Sequence, residues 1–424
     1  MKDKTIDMGS YLLHLIPTKR FKTITIRVCL RDTIVKEEIT LRNFLASFLT
    51  YATDTYRTKR ELVLHCQDLY ALNISTKTYR AGKFNMMNFF MSTLNEKYTE
   101  EGMLEKSIEL FADVIFHPNF NDLDKFKEAY DFLKQSTENA LKGLKENPSL
   151  YSVTRMLETM GPNMPYSYRE QGYLEDLNNV NLDTLKQYYQ KMMIGSLVDI
   201  YVIGDFEEEA IVSLLKKYME FDTFKRPKDS QMIYHSKLPQ RTKTVIEKIN
   251  GNQSKLSIGC KIGELTEFER NYVLTLYNMI LGGSSESKFF QIIREKHSLA
   301  YYVYSSVTKL DHIMIIRAGI TKENFNKTIK LIKKLMKEME QGKFTEENIE
   351  FAKQNYLSLL KEIEDNENAI IETYLAKDLL NLGNIEERKE EIKKVTKEDI
   401  INVSKKVKMD TIYLLEGDKE NEGD

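Results

Sequence analysis

Cysteine is scarce in this chain of 424 residues, which holds only Cys29, Cys66 and Cys260. Three is an odd number, and the three lie far apart in sequence. This excludes a disulfide framework or a cysteine metal knuckle and points to a reducing compartment. Histidine is nearly as sparse, at six: His14, His65, His117, His235, His297 and His312. No two of them share a helical turn, so no pair can hold one metal from a single helix. His65 and Cys66 adjoin with Asp68 close behind, but neighbours on a helix point to different faces. A partly buried histidine and a core cysteine are expected there. Long apolar runs are also missing. Residues 11–16 are too short and too polar for a signal core, Pro17 stops them, and no small-residue cleavage site follows. No stretch approaches the roughly 20 apolar residues that span a bilayer. Net charge is only −2, so there is no excess of one sign to attract nucleic acid or an anionic membrane. The pair Gly282-Gly283 lacks the lysine of a phosphate loop, and no serine, cysteine or histidine group resembles a nucleophilic triad. The expectation is a cytoplasmic protein with neither a membrane nor a nucleic-acid partner.

What is present describes a folded protein built twice. Hydrophobic residues make up 42% and charged residues 30%, the balance of a globular chain. The length exceeds one ordinary core and suits two domains of roughly 200 residues. Residues 24–30 and 255–262 each alternate at period two, as half-buried strands do. A helix follows each. Leu41, Phe44, Leu45, Phe48 and Leu49 form one apolar face, and residues 268–280 fill the same slot before Gly282-Gly283 ends them. A second helix and strand come next in both halves, at 59–69 with 72–76 and at 286–296 with 299–306. Both halves close alike, with a helix opened by residues 180–185 or 395–400 and then a strand at 197–203 or 411–415. This predicts an α+β fold of two duplicated domains, each a mainly antiparallel sheet with helices packed on one face. The expected domains are 1–225 and 240–424. The linker is expected within 222–242, where Pro227 and Pro239 break the pattern, and the tail 416–424 is expected to fray. Residues 327–337, rich in lysine with apolar residues at helical spacing, are expected as a solvated amphipathic helix.

The most specific segment is 282–306. It runs Gly282-Gly283, a helix containing Phe289, Phe290, Ile293, Arg294 and His297, a short break, then Leu299-Ala300-Tyr301-Tyr302-Val303-Tyr304. It resembles the C-terminal signature of the pitrilysin/insulinase family of zinc peptidases (inverzincins). The resemblance extends from near residue 10 to near 418. It includes Met164-Pro165-Tyr166-Ser167, Gly172 and Glu175-Asp176-Leu177, expected to close the helical layer of the first half. It implies that Arg294 and Tyr301 are the arginine and tyrosine that hold the substrate peptide. A guanidinium fork suits peptide carbonyls, and a tyrosine hydroxyl can donate to the oxyanion formed when water attacks an amide. His297 is expected to flank the helix end.

The resemblance also implies a zinc site in the first half, with two histidines four apart on one helix and a glutamate base between them. By the apolar spacing of 41–49 those positions fall on Asn43, Ala46 and Ser47. The family's distant glutamate ligand falls on Ala140, with Glu138 two residues away in the alternative register. Neither zinc nor another cofactor is therefore expected in this chain. In two-chain members of the family one subunit carries the zinc and the other the Arg/Tyr pair. This chain resembles the second, the non-catalytic, substrate-binding subunit of bacterial processing peptidases acting on peptides or unfolded segments. Its partner would be a paralogous subunit with the zinc motif. The alternative is a peptide-binding or scaffolding homodimer of the same fold with no hydrolytic activity.

Overall fold

Strand β3 (Thr23–Thr33) shows how the first sheet is built. Ile24, Ile26, Val28 and Leu30 point to one face and join a buried cluster with Phe44, Phe48 and Phe111 from the helices. Thr25, Arg27, Cys29 and Arg31 fill the other face, the period-two geometry of a strand. The computed structural model describes residues 3–222, 237–251 and 253–417. They divide into two units, one of 3–143 with 169–222 and the other of 144–168 with 237–251 and 253–417. Among the described residues no helix is long and apolar enough to cross a membrane.

In the first unit β1 (Lys4–Asp7), β2 (Leu12–Pro17), β3, β4 (Asn73–Ala81), β5 (Phe84–Leu94) and β6 (Leu197–Gly204) form one sheet. Their order is β1-β2-β6-β3-β5-β4. Only the β2–β6 pair is parallel. Helix Ile39–Leu49 lies on the apolar face. Its Arg42 is almost fully buried and donates through Nη1 to Asp32 Oδ2 (3.3 Å) and the Tyr188 hydroxyl (3.3 Å), and through Nη2 to the Leu30 carbonyl (3.2 Å). One side chain thus ties that helix to β3 and to helix Leu182–Gly195. Helix Lys59–Asp68 begins with a capping box made by Thr58 and Glu61.

The second unit repeats this plan. Strands β7 (Lys243–Ile249), β8 (Ser254–Ile262), β9 (Ala300–Thr308), β10 (Ile313–Ile320) and β11 (Val407–Gly417) are ordered β7-β11-β8-β10-β9. The β7–β11 pair is parallel and the rest are antiparallel. Strand for strand this matches β2-β6-β3-β5-β4, so the duplication expected from the sequence holds. Both units are α+β with mainly antiparallel sheets. Helix Phe325–Glu340 is amphipathic as expected, burying Ile332, Leu335 and Met339.

Two features differ from the sequence expectations. Segment 144–168 goes with the second sheet, whereas the expected domain 1–225 placed it in the first half. Helix Pro148–Met160 and Tyr166 form a separate cluster with Ile313, Ile315, Tyr413 and Leu415, on the face of the second sheet opposite its other helices. Residues 164–167 therefore do not close the first half's helical layer. Gly259 makes this packing possible, because a Cβ there would meet the sulfurs of Met156 and Met160. Secondly, Glu416 and Gly417 do not fray. They continue β11 opposite Lys248 and Ile249, and only residues beyond them lie outside the described set. Most of the expected linker 222–242 lies outside the described residues.

The added helix is fastened by Glu247 on β7. It accepts from the Tyr151 hydroxyl (2.8 Å), the Tyr413 hydroxyl and Arg155 Nε (3.4 Å). Burial raises the carboxyl pKa, but the hydrogen bonds from Tyr413 and Tyr151 and the charge of Arg155 outweigh it. The net shift is below the usual 4.5. A depressed carboxylate contributes stability above its unfolded pKa and loses it as pH falls through the folded one. Acid should therefore weaken the second unit progressively below about pH 4.5. Urea midpoints at pH 7 and pH 4 should differ less in Glu247→Gln than in the parent. An identical pH dependence in both would show that Glu247 contributes none of it.

Candidate functional site

The glycine pair that opens the signature is required by close approach. A Cβ at Gly282 would meet the Phe289 ring and Ser305 Oγ, and one at Gly283 would meet Asn278. With no side chain in the way, the Gly282 carbonyl accepts from the Ser305 amide on β9 (2.8 Å). The helix that follows, Phe289–Lys296, is a π-helix rather than the α-helix expected from the apolar spacing. It buries Phe289 and Ile293. Such widened turns recur at functional sites. It ends at His297, whose amide donates to the Ile292 carbonyl (3.2 Å), in the flanking role expected for that residue. Ser298 then adopts a left-handed conformation (φ 50°). The amides of Ser298 and Leu299 donate to the carbonyls of Arg294 and Ile293, both at 3.0 Å, closing the helix end.

Arg294 and Tyr301 come together. They line one hollow of about 460 Å³ with Glu295, Ser298, Leu299, Ala300, Thr321 and Asn324. The Arg294 guanidinium sits over the Phe290 ring, 4.7 Å from its centroid, and its Nε lies 3.7 Å from Glu295 Oε1. Its side chain is 44% exposed. Tyr301 is 56% exposed. Among the described residues neither the Arg294 Nη groups nor the Tyr301 hydroxyl has a hydrogen-bond partner. The β9–β10 register shows why Tyr301 stands out. Tyr302 faces Gly319 and Ala300 faces Ile320, so Tyr301 is the extra residue of a bulge. A bulge re-aims a side chain out of the regular alternation. Both residues were singled out by the resemblance of 282–306 to the family signature. The π turn and the bulge that present them left no mark in the hydrophobic pattern, and Thr321 and Asn324 in the same hollow carried no motif.

The other predicted positions lie on the first unit. Asn43 and Ser47 are one turn apart on helix Ile39–Leu49. Asn43 Nδ2 donates to the Glu170 carbonyl (2.6 Å) and its Oδ1 accepts from Thr78 Oγ1. Ser47 Oγ donates to the Asn43 carbonyl (3.3 Å). Ala46 is buried and offers no ligand atom. Zinc is bound by thiolate, imidazole or carboxylate, so this amide, methyl and hydroxyl do not fit it. Ala140 is exposed on helix Leu123–Lys142, and Glu138 in the alternative register is paired with Lys142 at 2.5 Å. His65 stacks on Tyr56 (4.5 Å between ring centroids), while Cys66 packs against the core. The two point apart, as their adjacency required.

Two duplicated α+β units thus carry Arg294 and Tyr301 in one hollow and offer no zinc ligand set at Asn43, Ala46 and Ser47. Residues 179–356 match the family described as the peptidase M16 inactive domain. The probable inactive metalloprotease YmfF of Bacillus subtilis (strain 168) is 28% identical over 414 residues, 96% of each chain. A conserved protein of Enterococcus faecalis V583 superposes over the full length of both chains with a TM-score of 0.90 and 25% identity. A peptidase M16 inactive domain from Pseudomonas fluorescens shares the fold at 15% identity and a TM-score of 0.80, over 99% of each chain. Over residues 179–356 the chain thus matches the peptidase M16 inactive domain, and over nearly its whole length it is similar to a probable inactive metalloprotease.

Proposed function

We propose that this chain is the non-catalytic, substrate-binding subunit of a two-chain zinc peptidase acting on peptides or unfolded segments. The observation that carries the reading is the contrast between its two candidate sites. Asn43, Ala46 and Ser47 offer no zinc ligand set, whereas Arg294 and Tyr301 share a hollow in which, among the described residues, the Arg294 Nη groups and the Tyr301 hydroxyl have no hydrogen-bond partner. A fold conserved only as scaffold has no need to expose such a pair. In this reading a paralogous partner supplies the zinc and the general base. Tyr301 donates to the oxyanion of the attacked amide, and Arg294 holds the neighbouring carbonyls. The peptide lies extended along the edge strand β9, adding to the sheet. Ser305 is already engaged by Gly282, so the open edge is the part near Tyr301 and Val303.

The test is zinc content and peptide hydrolysis for the purified chain, alone and mixed with a partner carrying the zinc motif. The expected result is no stoichiometric zinc and no hydrolysis alone, with a clear rise in the partner's activity on mixing. A full equivalent of tightly held zinc and activity in the chain alone would overturn the reading. Peptide binding by a self-associated chain that leaves every partner's activity unchanged would favour the scaffolding homodimer instead.

A further inference from the structure

We infer that the β9 side of the second sheet is a carboxylate-selecting strip, so that a peptide held at Arg294 and Tyr301 is preferred when it carries glutamate or aspartate side chains. This rests on the peptide-binding reading above and names its substrate class.

The strip lies on the face that also carries Ile313, Ile315 and Tyr413. Helix Pro148–Met160 covers those apolar residues. Under the first turns of that helix the face changes character, with Ser149 Oγ 3.3 Å from the Tyr302 hydroxyl and Ser152 Oγ 2.9 Å from Ser257 Oγ. Register places Lys255, Gly319 and Tyr302 in one row across β8, β10 and β9, and Ser257, Arg317 and Tyr304 in the next. Lys255 Nζ sits 5.4 Å from the centroid of the Tyr302 ring, and the Arg317 guanidinium 5.8 Å from that of Tyr304. Arg317 Nη1 donates weakly to the Tyr304 hydroxyl (3.4 Å), and its Nε is buried with no partner. Lys255 Nζ donates to the Gln253 side chain. Among the described residues neither cation has a carboxylate partner.

A cation withdrawn from water without a counter-charge is unfavourable. Burial alone lowers the Lys255 pKa, which shows that this desolvation is present. Packing would be served better by neutral residues, so the arrangement calls for an anion from outside. The strip also reaches solvent. Tyr304 is 41% exposed and stands three residues from Tyr301 in the Arg294 hollow. Gly319 keeps its row low, because a Cβ there would run into the Tyr302 ring. In an extended peptide every second side chain falls on one face, about 7 Å apart. Successive rows of the sheet have that same spacing, so alternate carboxylates can meet both rows.

The test uses fluorescein-labelled decapeptides of valine alternating with glutamate, glutamine or lysine. Their binding to the intact chain is followed by fluorescence anisotropy. The glutamate peptide should bind about 10-fold tighter than the glutamine peptide, as one or two charge-assisted bonds at a part-exposed site would give. The lysine peptide should bind most weakly. The glutamate advantage should shrink in 0.5 M salt and vanish in Lys255→Gln/Arg317→Gln, with glutamine-peptide affinity unchanged. Equal affinity for the glutamate and glutamine peptides in the parent chain overturns this inference and leaves the peptide-binding reading standing. Failure of all three peptides to bind overturns both.

Discussion

In a mixture with the proposed zinc-bearing partner, Tyr301→Phe should lower the maximal rate of peptide hydrolysis about 100-fold, as loss of one oxyanion donor does. Arg294→Ala lowers kcat/KM by a similar factor and raises KM as well. The difference follows from when each contact forms. A hydroxyl aimed at the oxyanion is used only in the transition state, whereas a guanidinium on neighbouring carbonyls also holds the ground state. Neither replacement should disturb the fold. Tyr301 is more than half exposed on a bulge, and Arg294 rests on Phe290 with its Nη groups free of hydrogen-bond partners among the described residues. Circular dichroism and the thermal midpoint should stay at parent values. Full turnover in both variants would mean that the pair merely decorates the surface of the second unit.

The second large effect concerns stability. Arg42→Leu should destabilise the first unit by about 3 kcal/mol, because it breaks a part-buried ion pair and leaves the Tyr188 hydroxyl and the Leu30 carbonyl without their buried donor. The Arg42 side chain is only 1% exposed, and Asp32 keeps just Ser196 Oγ (2.7 Å) as its other named donor. For a unit of this size the thermal midpoint should fall by roughly 6–12 °C. The double variant Arg42→Leu/Asp32→Asn should lose less than the two single losses added together, since its partner charge is gone too. Strict additivity would show that Arg42 acts only through its packing and its bonds to Tyr188 and the Leu30 carbonyl.

Much of this architecture was legible in the sequence, for identifiable reasons. β3 and β8 alternate because one face of each meets helices and the other is more polar. The repeated order of strand, helix, helix and strand was visible twice, so duplication followed. β5 and β10 were missed because both are central strands buried on both faces. Their apolar runs then lose the period of two that marks a half-buried strand. Helix Pro148–Met160 shows a related gap. Its apolar stripe states that one face must be covered, but any apolar sheet face satisfies a stripe. Only the packed structure assigns it to Ile313, Ile315, Tyr413 and Leu415.

The site divides the same way. Residue type alone decided that Asn43, Ala46 and Ser47 cannot be zinc ligands, because ligation depends on the donor atom and no fold can supply one to alanine. Resemblance to the family's C-terminal signature picked out Arg294 and Tyr301. That the two line one hollow, with their donors turned outward, was decided by tertiary structure, through a π turn, a left-handed Ser298 and a bulge at Tyr301. Lys255, Arg317, Tyr302 and Tyr304 lie as far as 62 positions apart in the chain. They become one surface only because the register of β8, β10 and β9 sets them in adjacent rows. Local sequence carries the chemistry of each side chain and the period of its own element. Which side chains share a surface depends on long-range pairing, and that is settled only when the strands meet.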